Sequence, residues 1–407
     1  MALDGILKGI GDSREDIIRM MCGMISIPAI SPAAGGTGEE KRADYLMDYL
    51  KGFDSVERMD FEDGTDPSIK RSNILARKKG KKAGTVWIMA HMDTVPAGDL
   101  DAWDTDPFEG VVKGDRIYGR GTEDNGQTVV SSYIASRDII REELNGMSVG
   151  LVWVADEEMA SRYGVEKLIE KGCFSKEDVF LVPDWGSPNG KYIEVSEKSL
   201  IWLNFRIIGK SGHGSTPDRS VNALKIGAAL MVDLGEVLRE RFPAEDPMFT
   251  PSASTFEPTK ADMTVLNVNT IPGVWSFSVD CRLLPCYSVD DVLEVSRELA
   301  KRYADATGAE IEVTEIQRHV SGGRSSTDGE VYNVIRESVD SVTGNVPEPV
   351  GVGGATCANF FRLAGHDAYV WETGGGTLHG PNEYVEIGNI IADAKVFATV
   401  FWKLCVE

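Results

Sequence analysis

The chain reads as an α/β protein with a central mixed sheet flanked by helices and an α+β module inserted into it. Three observations carry that reading. Short apolar runs alternate with segments of helical spacing through the first half. Histidine and acidic clusters follow the ends of those runs, where open α/β sheets gather their ligands. Near residue 194 the texture changes to longer strands and helices, and after Gly322-Gly323-Arg324 the first rhythm returns.

In chain order, Ser13-Arg14-Glu15-Asp16 opens a helix with Ser13 as its cap, and helical spacing runs over 16–25 and 39–53. Strands are expected over 73–77, 85–90, 148–155 and 179–182, with helices over 126–141 and 165–171. In the module, strands over 199–208, 274–282 and 310–316 alternate with helices over 222–241 and 289–304. The expected domains are therefore 1–194 with 318–407, and 195–317 between them, the inserted module being within ordinary domain size. The module reads as an insertion because His379 must meet His91 if both serve one site.

With 407 residues the chain is long enough for about two cores. Forty-two Lys and Arg against 64 Asp and Glu give a net charge of −22, which argues against nucleic acid or an anionic membrane as partner. No apolar stretch approaches the roughly 20 residues that cross a bilayer. Residues 1–11 carry no apolar block of secretory type, and the six cysteines are scattered without a CxxC pair. A cytoplasmic protein with reduced thiols is expected.

The candidate chemistry lies in five clusters. His91-Met92-Asp93-Thr94-Val95 follows the run at 85–90. In extended backbone, positions two apart share a side, so His91 can offer one ring nitrogen to a metal while Asp93 holds the other. Asp124 ends Gly119-Arg120-Gly121-Thr122-Glu123-Asp124, a glycine-rich turn in which one carboxylate can bridge two cations. Glu123 and Asp115 read as solvated charges, and the turn lacks the pattern of a phosphate loop. Asp156-Glu157-Glu158 closes the strand at 148–155, and three successive acids repel one another unless a cation offsets them. Adjacent side chains point opposite ways, so one of Glu157 and Glu158 binds metal while the other faces substrate as a general base. Asp184 follows the strand at 179–182, and His379 follows Gly374-Gly375-Gly376. Two imidazoles with several carboxylates are the ligand inventory of a two-metal hydrolase.

Two further residues stay open on spacing alone. His213 is flanked by glycines and reads either as an exposed tip reaching substrate or as a plain turn. Arg282 either clamps a substrate carboxylate or pairs with Asp280. His319 and His366 read as ordinary packing or surface residues. A thiol or serine hydrolase using Cys357 or Ser215 is disfavoured, since neither sits in a nucleophile elbow. A metal-free binding module on the same fold is the other rival, and no ligand or base is missing to support it.

In this order the motifs resemble the M20 metallopeptidases over nearly the whole chain. They are His91-Met92-Asp93-Thr94-Val95-Pro96, Trp103 to Pro107-Phe108, Tyr118 to Asp124, Asp156-Glu157-Glu158, Gly212-His213-Gly214-Ser215, Asn269-Thr270-Ile271-Pro272-Gly273 and His379-Gly380-Pro381-Asn382-Glu383. The resemblance implies a zinc-peptidase-like catalytic domain with two divalent metals, zinc first, cobalt or manganese otherwise. It implies His91, Asp124 and Asp184 on one metal, and Asp124, Glu158 and His379 on the other. Glu157 becomes the base and Asp93 the partner of His91. The inserted module becomes a lid and dimerisation domain of a homodimer, with His213 reaching the neighbouring subunit's site and Asn269 in a segment approaching substrate. The implied substrate is a small peptide or an N-acyl amino acid. Asp184 matches the dipeptidases and aminopeptidases; deacylases such as the desuccinylases, the second reading, usually carry Glu there. Gly353-Gly354-Ala355-Thr356-Cys357 also departs from the desuccinylase pattern, and Asn125-Gly126 replaces the more common Met-Lys.

Overall fold

The computed structural model describes residues 2–407. Helices α1 (Leu3–Gly11), α2 (Arg14–Ile25) and α3 (Glu40–Met47) precede strands β1 (Ser55–Glu62), β2 (Lys70–Lys78) and β3 (Thr85–His91). Next come β4 (Val111–Lys113), β5 (Arg116–Tyr118), α4 (Gln127–Ile139), β6 (Ser148–Val154), α5 (Val165–Glu170), β7 (Val179–Leu181) and β8 (Tyr192–Glu197). The middle of the chain holds β9 (Ser199–Ile208), β10 (Gly212–His213), α6 (Ala223–Arg241), β11 (Thr255–Met263), β12 (Thr270–Ile271), β13 (Val274–Leu283), α7 (Val289–Thr307) and β14 (Glu310–His319). It ends with α8 (Glu330–Thr343), β15 (Glu348–Val352), α9 (Ala358–Leu363), β16 (Ala368–Tyr369), β17 (Tyr384–Glu386) and α10 (Ile387–Phe401). Two compact units result: Met1–Val195 with Arg324–Val350 and Thr356–Glu407, and Ser196–Gly323 with Gly351–Ala355.

The first unit is built on a six-stranded mixed sheet of order β1-β2-β6-β3-β7-β16. Strands β6, β3, β7 and β16 run parallel, while β2 is antiparallel to both β1 and β6. Every position of β3 and β6 is buried, as parallel strands covered on both faces require. Because these strands are parallel, β3, β6 and β7 end along one edge, which sets where the site forms. Two local expectations change. The helix expected over 39–53 stops at Met47. Ser13 does not cap α2 through its side chain; its hydroxyl donates to the Gly9 carbonyl at 2.7 Å and accepts from Arg137.

The second unit has an antiparallel sheet of order β11-β13-β9-β14, with α6 and α7 contributing to its apolar core. Asn222 and Ser288 cap those helices by accepting the N–H of Lys225 and Asp290. The outer strand β11 is exposed along most of its length, so it lacks the alternation that would mark it in sequence. Among the described residues no helix is long and apolar enough to cross a membrane.

Candidate metal centre

Strand β3 ends on His91, and its neighbours β6 and β7 end just before Asp156-Glu157-Glu158 and Asp184. Asp124 joins them from the turn before α4, and His379 from the loop between β16 and β17. His91 Nε2 lies 2.8 Å from Asp124 Oδ1 and 3.3 Å from Asp184 Oδ1. His379 Nε2 lies 3.0 Å from Asp124 Oδ2 and 3.2 Å from Glu158 Oε2. The two oxygens of Asp124 thus face two different imidazoles. These contacts sort five side chains into two triads that share one carboxylate. Glu157 groups with His91 and Asp184, and Glu158 with His91 and Asp124, the ligand-type atoms of each group within 4.8 Å of one another; Glu158 also touches His379.

The electrostatics suit cations. Burial pulls the His91 imidazole down, but hydrogen bonds to Asp124, Asp184 and Asp93 outweigh it and push it well above its ordinary value. Hydrogen bonds to Asp124 and Glu158 push His379 up to about 10. Asp184 is pushed up to about 6 by burial, against the pull of its hydrogen bond to His91. Burial, with the negative charge of Asp184, raises Glu157 well above the usual carboxylate range. Oε1 of Glu158 is buried without a hydrogen-bond partner, which is costly for a carboxylate unless a cation faces it. Two imidazoles and three carboxylates in contact are a donor set that fits divalent metals.

Asp93 lies against the His91 imidazole and also holds the acidic pair. Its carboxylate oxygen is 3.5 Å from His91 Nδ1, while its backbone oxygen is 3.0 Å from that nitrogen. The two carboxylate oxygens also accept the backbone N–H of Glu157 and Glu158, each at 3.1 Å. One residue therefore orients the imidazole and the acidic pair together.

His213, Asn269 and Arg282 belong to the second unit. His213 is exposed on β10, which pairs with β12, and the Asn269 carbonyl accepts the N–H of Gly214 at 2.8 Å. His213 Nδ1 lies 2.7 Å from the Ser215 hydroxyl and 3.2 Å from the Ser215 backbone N–H. Arg282 makes the pair with Asp280. Nε and Nη2 hold Asp280 at 2.8 and 3.1 Å, and Nη1 donates to the Gly353 carbonyl.

Residues 87–403 match the sequence profile of Peptidase family M20/M25/M40. The chain belongs to this family. It is similar to an uncharacterized metallohydrolase of Methanocaldococcus jannaschii, with 34% identity covering 95% of this chain and 98% of that one. A succinyl-diaminopimelate desuccinylase of Cereibacter sphaeroides is 27% identical, covering 92% of this chain and 95% of its own. The solved aminopeptidase PepT of Bacillus cereus shares the fold, with a TM-score of 0.75 and 18% identity over 96% of this chain and 98% of that one. The protein is thus an M20 metallohydrolase of the peptidase and amidohydrolase kind.

Several residues of this M20 hydrolase escape a sequence reading. Glu123 is not solvated; it is buried, and its carboxylate accepts N–H groups of Gly375, Gly376 and Thr377. Asp156 is buried too, with φ of 68°, and pairs with Arg71, which also holds Glu39 and Asp63. Burial pushes Asp393 up to about 7, and burial with the negative charges of Asp393 and Asp184 raises Glu372 well above its usual range. The sole sequence signal for Glu123 is its place beside Asp124.

Proposed function

We propose that this M20 hydrolase cleaves an amide bond in a small peptide or N-acyl amino acid, at a centre of two divalent metals, zinc before cobalt or manganese. The observation that carries this is Asp124, whose two oxygens face His91 and His379 separately. His91, Asp124 and Asp184 would hold one metal, and Asp124, Glu158 and His379 the other. When bound, such metals supply Lewis acidity toward the scissile carbonyl and the attacking water.

The chain's own groups do the rest. Glu157 takes the proton from water as the water oxygen bonds to the carbonyl carbon. It then returns that proton to the leaving nitrogen as the C–N bond breaks. Asp93 holds the Glu157 backbone, which limits how far that carboxylate can drift. His213 of the partner subunit donates from Nε2 to the carbonyl oxygen as it gains negative charge. Asn269, tied to the same short ladder, lines the approach of substrate. On this reading the protein is a cytoplasmic homodimer joined through the second unit, and each site draws His213 from its neighbour.

Asp184 favours peptides over N-acyl amino acids, and likeness to an aminopeptidase fold agrees; the desuccinylase relative keeps the deacylase reading second. The test is metal removal followed by a panel of dipeptides against N-acetyl and N-succinyl amino acids, with zinc, cobalt or manganese restored. Turnover that survives exhaustive chelation refutes the reading.

A further inference from the structure

Three successive N–H groups after a run of glycines form a concave donor surface of the kind that binds anions. Here the loop 374–377 closes its donors on a carboxylate of the chain itself. Glu123 Oε1 accepts from Gly375 and Gly376 N–H, both at 2.6 Å, and Oε2 accepts from Thr377 N–H at 2.7 Å and from the Thr377 hydroxyl. Glu123 is buried, and it directly precedes Asp124. The loop it grips leads two residues later to His379.

The grip is answered from the other side. Glu383 Oε1 accepts the N–H of Glu123 and Asp124 at 2.9 and 3.0 Å, and its Oε2 accepts Gly121 N–H at 3.0 Å and pairs with Arg120 at 2.7 Å. Arg120 Nη2 in turn donates to the carbonyls of His379 and Gly380, both at 3.1 Å. The turn that carries Asp124 and the loop that carries His379 are thus tied together by two carboxylates, each reaching across to the other's backbone.

We propose that Glu123 is a positioning residue that sets the His379 loop against Asp124 and so tunes the metal held by Asp124, Glu158 and His379, leaving the His91 metal largely unaffected. The proposal rests on the two-metal reading above. Groups that orient metal ligands from behind commonly change affinity by roughly 10- to 100-fold when lost. Glutamine is nearly the same shape, but its amide nitrogen is a donor that would face the Thr377 N–H and hydroxyl.

The experiment titrates zinc into metal-free wild type, Glu123→Gln, Thr377→Val and Asp178→Asn, by calorimetry and chelator competition. Hydrogen exchange at 375–377 is followed in parallel. Asp178 is a buried carboxylate holding Thr85, Trp87 and Ser175, and it serves as a control for general destabilisation. The expected result is two zinc ions in wild type, with one affinity in Glu123→Gln unchanged and the other weaker by about 10- to 100-fold. Exchange at 375–377 should quicken in that variant. Thr377→Val should shift the same affinity by less, and it decides the matter alone if Glu123→Gln does not fold. Asp178→Asn should lose thermal stability yet keep both affinities. Wild-type affinities in both Glu123→Gln and Thr377→Val overturn the proposal, as does an equal loss at both sites. Fewer than two zinc ions in wild type instead refutes the two-metal reading itself.

Discussion

Arg71→Met perturbs the framework behind the acidic pair. Arg71 lies 2.7 Å from Glu39, 3.2 Å from Asp63 and 2.8 Å from Asp156, and all four side chains are 5% exposed or less. Methionine fills similar space without charge, so three buried carboxylates lose their common cation. Breaking one buried pair costs about 3–5 kcal/mol, because the stranded charge keeps its desolvation penalty. For a unit of this size that corresponds to a fall in Tm on the order of 10 °C. The loss should also carry a sign in pH. Burial already pushes Glu39 up to about 7 against the pull of Arg71, and removing Arg71 takes that pull away. A group whose folded value lies above its unfolded value, about 4.3 for Glu, contributes stability that is fully present at low pH and lost as pH rises through the folded value. The deficit of Arg71→Met relative to wild type should therefore be larger at pH 8 than at pH 5. Calorimetry on the metal-free proteins at both pH values measures it. A cost below about 1 kcal/mol, or a deficit independent of pH, would show that the carboxylates do not depend on Arg71.

Glu157→Gln should keep its metals and lose on the order of 10²- to 10⁴-fold in kcat, since the amide cannot shuttle a proton; metal analysis with steady-state kinetics separates this from a ligand role. Asp124→Ala should lose most of both metals, measured by elemental analysis after dialysis, because each of its oxygens serves a different triad. In the metal-free protein, His379 is raised from 6.5 to about 10, so its contribution to stability is full below pH 6.5 and lost as pH rises through 10. Zinc uptake near pH 7 should accordingly release protons, which a pH indicator counts; uptake without release would contradict the protonated imidazole. Mixing Glu157→Gln with His213→Ala, each inactive alone, should restore turnover after subunit exchange; no recovery despite proven exchange would place His213 outside the neighbouring site.

The residues of the metal centre could be read from the sequence because parallel strands place their carboxyl ends on one edge, and chemistry-bearing side chains there have few other reasons to cluster. His91, Asp156-Glu157-Glu158 and Asp184 each follow such a strand, so strand ends alone suggest that they meet. Their pairing was not readable in the same way. Whether Glu157 or Glu158 turns toward His379 depends on the turn begun by Asp156 at φ 68°, where alternation along a strand no longer applies.

The carboxylates behind the centre were hidden for a different reason. A solvated glutamate and a buried one look alike in sequence; what separates them is a partner far along the chain. Glu123 finds its donors 252 to 254 residues away, and Arg71 reaches Asp156 across 85. Neither partner is a residue type that announces chemistry: the donors to Glu123 are mostly the backbone of glycines. A glycine run suggests a flexible lid over a site, and spacing gives no reason to think otherwise. Yet glycines also let several N–H groups converge on one anion, and a convergent set is held as firmly as the anion it meets. Once that anion is buried next to the bridging ligand, the loop is bound to Asp124 instead of swinging above it. The loop that sequence composition makes flexible is, in the folded chain, where His379 is fixed.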